Sequence, residues 1–268
     1  MKSAPHKKSS KKEDKKPAKP HFYGVHAVKA LLNRRPEEAL ALFVQVREDG
    51  KEAHADIVAS AKRLGVSVQY AHKDKLDDLC GSTQHQGVVL SAKLPTYADE
   101  SLLQSLCQKP DVLFLVLDQI TDAHNFGACL RSACAMGVDA VIVPKNKSAP
   151  ITPTVAKVSV GASEVIPVVS VTNLARTIQM LKDEGVFVFG TALDDTATPV
   201  QHCDFVGKVA IVMGSEGEGM RRLTQQSCDT LVYIVMAETP DRPQSLNVSV
   251  ATGMVLYEVM RQRQQGLS

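Results

Sequence analysis

Between residues 112 and 235 the chain carries six short apolar runs without polar alternation. They are Val112–Leu117, Ala140–Val143, Val165–Val169, Val186–Gly190, Val209–Met213 and Leu231–Val235. A strand with one wet face alternates apolar and polar side chains. A strand that is apolar throughout is buried on both faces, as in a parallel sheet with helices on either side. Helical segments are expected between the runs, at Phe126–Met136, Thr154–Val160, Asn173–Glu184 and Gly219–Cys228, with a last one at Leu246–Gln265. This succession predicts an α/β domain over residues 111–268. A hydrophobic content of 44% supplies the core it needs.

Residues 21–92 read as a smaller alternating unit. Helices are expected at Val25–Asn33, Ala53–Leu64 and Lys73–Leu79, and strands at Ala41–Val46, Val66–Ala71 and Gly87–Ala92. The polar loop 81–87 contains His85, which serves either RNA contact or a local hydrogen bond. Residues 93–110 read as a linker holding one short helix between Pro95 and Pro110. Residues 1–20 hold eight Lys against Glu13 and Asp14, a charge of +6, which leaves −4 for the rest of a chain whose total is +2. This tail reads as disordered. It is either a solubilising end or an arm for nucleic-acid phosphates.

The tail lacks the apolar centre of a signal peptide, and Val112–Leu117 is far too short to span a membrane. Six Cys without a C-x-x-C pair point to thiols in a reducing cytoplasm, and the scattered His suggest no metal centre.

Chemistry concentrates after three of the strands. The first turn follows Asp118 and leads through Asn125, Gly127 and Arg131. Asn125 is placed to cap a helix, and Gly127 would let a ligand approach the backbone. Arg131, on a small and apolar helix, is either a buried ion-pair partner or a fork for a phosphate. The second turn, Gly214-Ser-Glu-Gly-Glu-Gly219, is either a tight connection or a cradle. Glu216 and Glu218 would repel a phosphate, so a cationic or zwitterionic ligand suits it better. The third joins the strand ending near Ile234 to Ser245 and Asn247, through a Pro-containing stretch that includes Met236. Ser245 reads as a helix cap. Asn247 lies beside so much apolar surface that its carboxamide must find partners or cost about 1–3 kcal/mol. A cap and a ligand site both remain open for this turn. In open α/β sheets ligands sit beyond the carboxyl ends of strands, so the three turns can meet at one cleft.

Asn125-x-Gly127-x3-Arg131, Gly214-Ser-Glu216-Gly-x-Gly219 and Ser245-Leu-Asn247-Val-Ser-Val-Ala closely resemble the three motifs of the SpoU/TrmH family of RNA ribose 2′-O-methyltransferases, within the SPOUT superfamily. The resemblance spans about residues 21–265. Phe22-Tyr-Gly-Val-His-Ala-Val resembles the start of the family's L30e-like RNA-binding domain. Asn173-Leu-Ala-Arg and Glu216–Thr224 are most similar to members that methylate one guanosine of 23S ribosomal RNA. The sequence departs from the family at Ala123 and Val235, where Pro is usual, and in a longer connection from Ile234 to Ser245.

The resemblance implies a trefoil-knotted parallel α/β catalytic domain and a homodimer, alongside the cytoplasmic location without metal or membrane that the composition suggests. It implies S-adenosylmethionine as donor, held by Gly214, Ile234 and Leu246, with Met236 as a further contact. The implied catalytic set is Asn125, Arg131, Glu216, Ser245 and Asn247. The implied target is a guanosine 2′-hydroxyl of 23S ribosomal RNA, with another ribosomal or transfer RNA nucleotide as the alternative. One rival is a non-catalytic ribosome-assembly protein that binds RNA on the same scaffold. Another is a nucleotide-dependent oxidoreductase, against which stand the missing G-x-G-x-x-G order and the acids of the glycine turn.

Overall fold

The computed structural model describes residues 19–46, 53–215, 217–237 and 245–265. Most of the basic tail, and with it the expectation of disorder, lies outside the described residues.

The N-terminal unit runs β1 (His21–Tyr23), α1 (Val25–Arg34), β2 (Ala39–Gln45), α2 (Ala55–Arg63), β3 (Ser67–Ala71), α3 (Lys73–Cys80) and β4 (Val88–Ala92). Its sheet has the order β1-β4-β2-β3, with only β2 and β3 parallel. Phe22, Leu42, Val44 and Leu90 meet α1 and α2 on one face, while Tyr23 and Val89 meet Leu76 of α3 on the other. His85 is buried: its Nδ1 accepts the Gly87 amide at 2.9 Å and its Nε2 lies 2.9 Å from Asp77. These are local contacts within the unit.

The expected linker folds against the larger unit. The Ala98 amide donates to the Val168 carbonyl at 2.8 Å, and α4 (Ser101–Leu106) buries Leu103. The larger unit continues with β5 (Leu113–Leu117), α5 (Ala123–Ala135), β6 (Ala140–Pro144), α6 (Pro153–Val158), β7 (Val168–Val171), α7 (Leu174–Asp183), β8 (Phe187–Thr191), β9 (Thr198–Pro199), β10 (Val209–Met213), α8 (Arg222–Ser227), β11 (Thr230–Tyr233) and α9 (Val248–Gln265). Its seven strands are all parallel, in the order β7-β6-β5-β10-β8-β11-β9. Both faces are covered. Leu113, Leu115 and Leu117 of β5 pack with α5 and α9, whereas Phe114 and Val116 pack with α4 and α7. Each such side chain contributes about 1.5–3 kcal/mol by leaving water.

Several expected boundaries move. β7 begins at Val168, after a short 3₁₀ turn at Ala162–Glu164 that leaves Val165 exposed. α8 begins at Arg222, since Gly219 is held in the preceding turn. The last helix, apolar around most of its girth, buries Val248, Val255, Leu256 and Val259 but exposes Val250, Met254 and Tyr257. Its C-terminal end is stitched down by Arg263, which donates to the carbonyls of Asp111 at 2.6 Å and Gly207 at 2.7 Å.

All six Cys are free. Burial pushes the Cys228 thiol up to about 12, so it stays protonated. Among the described residues no helix is long and apolar enough to cross a membrane.

Gly127 is explained by packing rather than by ligand approach. A Cβ there would lie 2.8 Å from Cβ of Val158 and 3.1 Å from the Val155 carbonyl, so its absence lets α5 touch α6. Gly127→Ala should therefore overpack this contact and lower unfolding free energy by about 1–3 kcal/mol, measured by urea denaturation.

Candidate active site

The carboxyl ends of β5, β10, β8 and β11 lie side by side in the sheet. Backbone groups within the sheet are paired, so free donors and acceptors gather beyond the last rungs. A cavity of about 570 Å³ opens there, within the usual range for small-ligand sites.

Gly214 begins one wall, at the end of β10. A Cβ on it would overlap the backbone of Gly219 and Met220, so only Gly allows the chain to fold back so closely. Ser215 and Gly219 exchange two backbone hydrogen bonds of 3.0 Å, with Gly217 at φ +90° and Gly219 at φ +69° between and beside them. The far end of this turn is fixed from β5. The fully buried Asp118 carboxylate accepts the Arg221 amide at 2.9 Å and its Nε at 2.8 Å.

Ile234 and Met236 line the cavity beyond β11, and Ser245 and Leu246 line it ahead of α9. Four expected donor contacts and Ser245 thus share one cavity. Asn247 lies between the lining residues Leu246 and Val248. Its Nδ2 donates to Asn125 Oδ1 at 2.9 Å, which joins the first and third turns. Asn247 also caps α9, since its Oδ1 accepts the Ser249 amide at 3.0 Å and the Ser249 hydroxyl at 2.6 Å. Ser245, the expected cap, stands two residues too early. The other expected cap moves in the same way. Asp122 caps α5 by accepting the Asn125 amide at 2.8 Å, which leaves the Asn125 side chain for Asn247.

Arg131 is exposed on α5, and so is no buried ion-pair partner. Helix geometry puts it about 9 Å along the axis and about 240° around it from Asn125, so one chain does not aim both at one point. Glu216 lies outside the described residues.

Sequence reading passed over the end of β8. Thr191, Ala192, Leu193 and Asp194 line the cavity, as does Gln225 of α8. The Thr191 hydroxyl donates to the Val212 carbonyl at 3.1 Å, tying this wall to β10. Hydrogen bonds from the Thr196 hydroxyl and amide hold the Asp194 carboxyl below the usual carboxylate range. Among the described lining residues the charged ones are Asp194 and Glu218, both acidic. The site therefore favours a ligand with positive charge. Position after a central strand was the available signal for this wall, because the stretch carries no motif.

Comparison with known proteins agrees with this geometry. The SpoU rRNA Methylase family profile matches residues 112–257, and a profile described as RNA 2′-O ribose methyltransferase substrate binding matches residues 22–98. A relative from Acinetobacter baylyi, the 23S rRNA (guanosine-2′-O-)-methyltransferase RlmB, is 49% identical over 92% of this chain and 99% of its own length. Its namesake from Coxiella burnetii is 46% identical over 91% and 96%. Among solved structures, the SpoU methyltransferase AviRb from Streptomyces viridochromogenes in complex with AdoMet superposes with a TM-score of 0.73 at 23% identity, covering 91% of this chain and 90% of its own. The chain is an enzyme and belongs to the SpoU rRNA methylase family.

Proposed function

We propose that this enzyme transfers a methyl group from S-adenosylmethionine to the ribose 2′-hydroxyl of a guanosine in 23S ribosomal RNA. The observation that carries the reading is the meeting of the three turns, with Gly214, Ile234, Ser245 and Leu246 on one cavity and Asn125 bonded to Asn247 at its edge. The target follows the relatives, whose names state it and which match nearly end to end. By this reading residues 1–20 form a basic arm, 21–92 the RNA-binding domain, 93–110 the connection and 111–268 the catalytic domain. The family's trefoil knot and a cytoplasmic location belong to the same proposal, with no metal or membrane required.

The cavity fits the donor. Its walls combine glycine-turn backbone, apolar Ile234 and Leu246, and the acids Asp194 and Glu218, which suit a molecule bearing a sulfonium and an ammonium. When bound, S-adenosylmethionine supplies a methyl on a positively charged sulfur, already reactive toward an oxygen nucleophile. The residues then have to align that oxygen and let its proton go. Alignment of this kind supplies about 7–11 kcal/mol. Asn125 and Asn247 position the ribose and the donor through carboxamides that both donate and accept. Ser245 adds a hydroxyl at the cavity wall. Glu216 either steadies the glycine turn or accepts the proton. Arg131 is assigned the role of a fork and not that of the base. It forks onto the phosphate beside the target ribose and lowers the pKa of the 2′-hydroxyl, while that phosphate or a water takes the proton.

A homodimer reconciles this role with the position of Arg131. Val250, Met254 and Tyr257 form an exposed apolar stripe on α9, from 45% to 54% accessible, the pattern of a surface awaiting a partner. Gly253 in the same helix packs toward Ser132, the neighbour of Arg131. A second copy on this stripe would bring its own Arg131 toward the cavity of the first.

Three measurements test the reading. Ribosomal RNA from cells lacking the protein should lose a single 2′-O-methylguanosine in the 23S molecule; a loss confined to transfer RNA would overturn the target. Arg131→Lys should cut turnover about 10²-fold or more, because the fork is lost, while calorimetric donor affinity stays unchanged. Tyr257→Asp should shift the sedimentation of the protein from dimer to monomer and abolish methylation.

A further inference from the structure

The two units are joined by more than the chain between them. Glu164, in the turn after α6, has a side chain only 1% exposed. Across 129 residues of sequence it receives a fork from Arg35 at the end of α1, with Nε to Oε2 at 2.6 Å and Nη2 to Oε1 at 3.1 Å. Arg35 also donates to the Lys93 carbonyl at 3.2 Å and lies 5.9 Å from the centre of the Phe22 ring. A carboxylate this dry is tolerated only with its charge partner, and here that partner comes from the other unit, so separating the units breaks the pair.

The backbone carrying Glu164 is shaped for this contact. Val160 has φ +56°, a conformation a β-branched residue rarely adopts. Gly161 follows at φ +84°, and a Cβ on it would lie 2.7 Å from Cβ of Ala30 and 3.0 Å from the His26 carbonyl. Strain of this kind persists where the surroundings over-determine it. Ala156 of α6 is fully buried and belongs to the core of the N-terminal unit. A second tether lies alongside. Lys157 donates to Gln86 Oε1 at 3.0 Å, and the same oxygen accepts the Val25 amide at 3.1 Å. Burial holds the Lys157 ammonium below its ordinary pKa.

The seat also leads to the site. α6 touches Gly127 through Val155 and Val158, two residues after Asn125. A path of close contacts therefore runs from α1 through α6 to the helix that carries Asn125 and Arg131.

We infer that Arg35 and Glu164, assisted by Lys157 and Gln86, are positioning residues that hold the N-terminal unit at one fixed angle to the catalytic unit and so select which ribose of a gripped RNA reaches the cavity. This rests on the proposed RNA methylation. Recognition of RNA by an N-terminal unit alone would fix where the molecule is held. A rigid seat adds a fixed distance from that grip to the donor, and with it the choice of nucleotide. A shift of about 1 Å at a reacting centre costs about 10²-fold in rate.

The test compares the full-length protein with Arg35→Glu, with Glu164→Arg, and with the double exchange. The milder Arg35→Lys, which keeps the charge and loses the fork, serves if a single exchange fails to fold. Solution X-ray scattering reports the arrangement of the units without RNA. Methylation of a 23S fragment, with every 2′-O-methyl position mapped, reports selection. Each single exchange should expand the molecule, lower kcat/KM about 10²-fold and spread the mark to neighbouring nucleotides, with donor Kd unchanged. The double exchange should restore all three. Wild-type dimensions and a wild-type mark in a single exchange would overturn the inference, as would a double exchange that rescues nothing. If the wild-type protein marks no ribosomal RNA, the proposed function fails, while the scattering comparison still decides whether the seat exists.

Discussion

Burial of the seven-stranded sheet on both faces governs everything else in the larger unit. Because alternate residues of β5 enter two different cores, no side chain of that strand is free for chemistry until Asp118. The same holds for β10, which is buried from Val209 to Met213. Polar function is thereby pushed past the strand ends, where backbone groups are no longer paired within the sheet. Four adjacent strands end together, so turns far apart in sequence become neighbours with no further device. The cavity is the gap between those turns, and its volume is set by how closely the glycine turn folds back.

The joint between α5 and α9 converts this layout into a site. Both helices pack on one face of the sheet through Phe126, Leu130, Val255 and Val259. Their first turns then lie close enough for Asn247 to reach Asn125. Each helix is capped so that this contact is possible. Asp122 takes the capping duty at α5, which releases Asn125. Asn247 divides its carboxamide, with the oxygen on Ser249 and the nitrogen on Asn125. A Ser or Thr could cap α9 equally well, but it has no second group to send across.

Much of this was legible because burial leaves a plain mark. Non-alternating apolar runs located six of the strands, and β10 matched from end to end. The short pieces were not legible: β1 and β9 span three and two residues, too few for a two-residue alternation to repeat. Helix starts were misread where a polar residue had two possible duties, since Ser245 and Asn247 look alike as caps in sequence. The glycines told a mixed story. Gly214 and Gly219 belong to a turn at the cavity, whereas Gly127 is small for the sake of a neighbouring helix, and both kinds read identically along the chain. Asp194 escaped notice because nothing local distinguishes it, and only the adjacency of β8 to β10 brings it to the wall. The seat of the N-terminal unit was invisible for the same reason. Arg35 and Glu164 are ordinary charged residues until the fold sets one against the other.

The pair Asp118 and Arg221 explains why the halves of the site can behave as one body. Asp118 ends the strand that leads to Asn125, and Arg221 ends the turn that begins at Gly214. The carboxylate is fully buried, and losing its partner would leave an uncompensated charge in a dry place. Breaking a wholly buried pair costs about 3–5 kcal/mol; the Arg221 side chain is 39% exposed, so this pair lies below that range. What matters more is the second bond, from the Arg221 backbone amide. A side chain can swing away from a carboxylate, but a backbone amide moves only with its chain. The glycine turn is therefore registered against β5 by its own main chain. Any residue that shifts β5 relative to β10 must move the glycine turn and Asn125 together, so their separation is set by the fold itself.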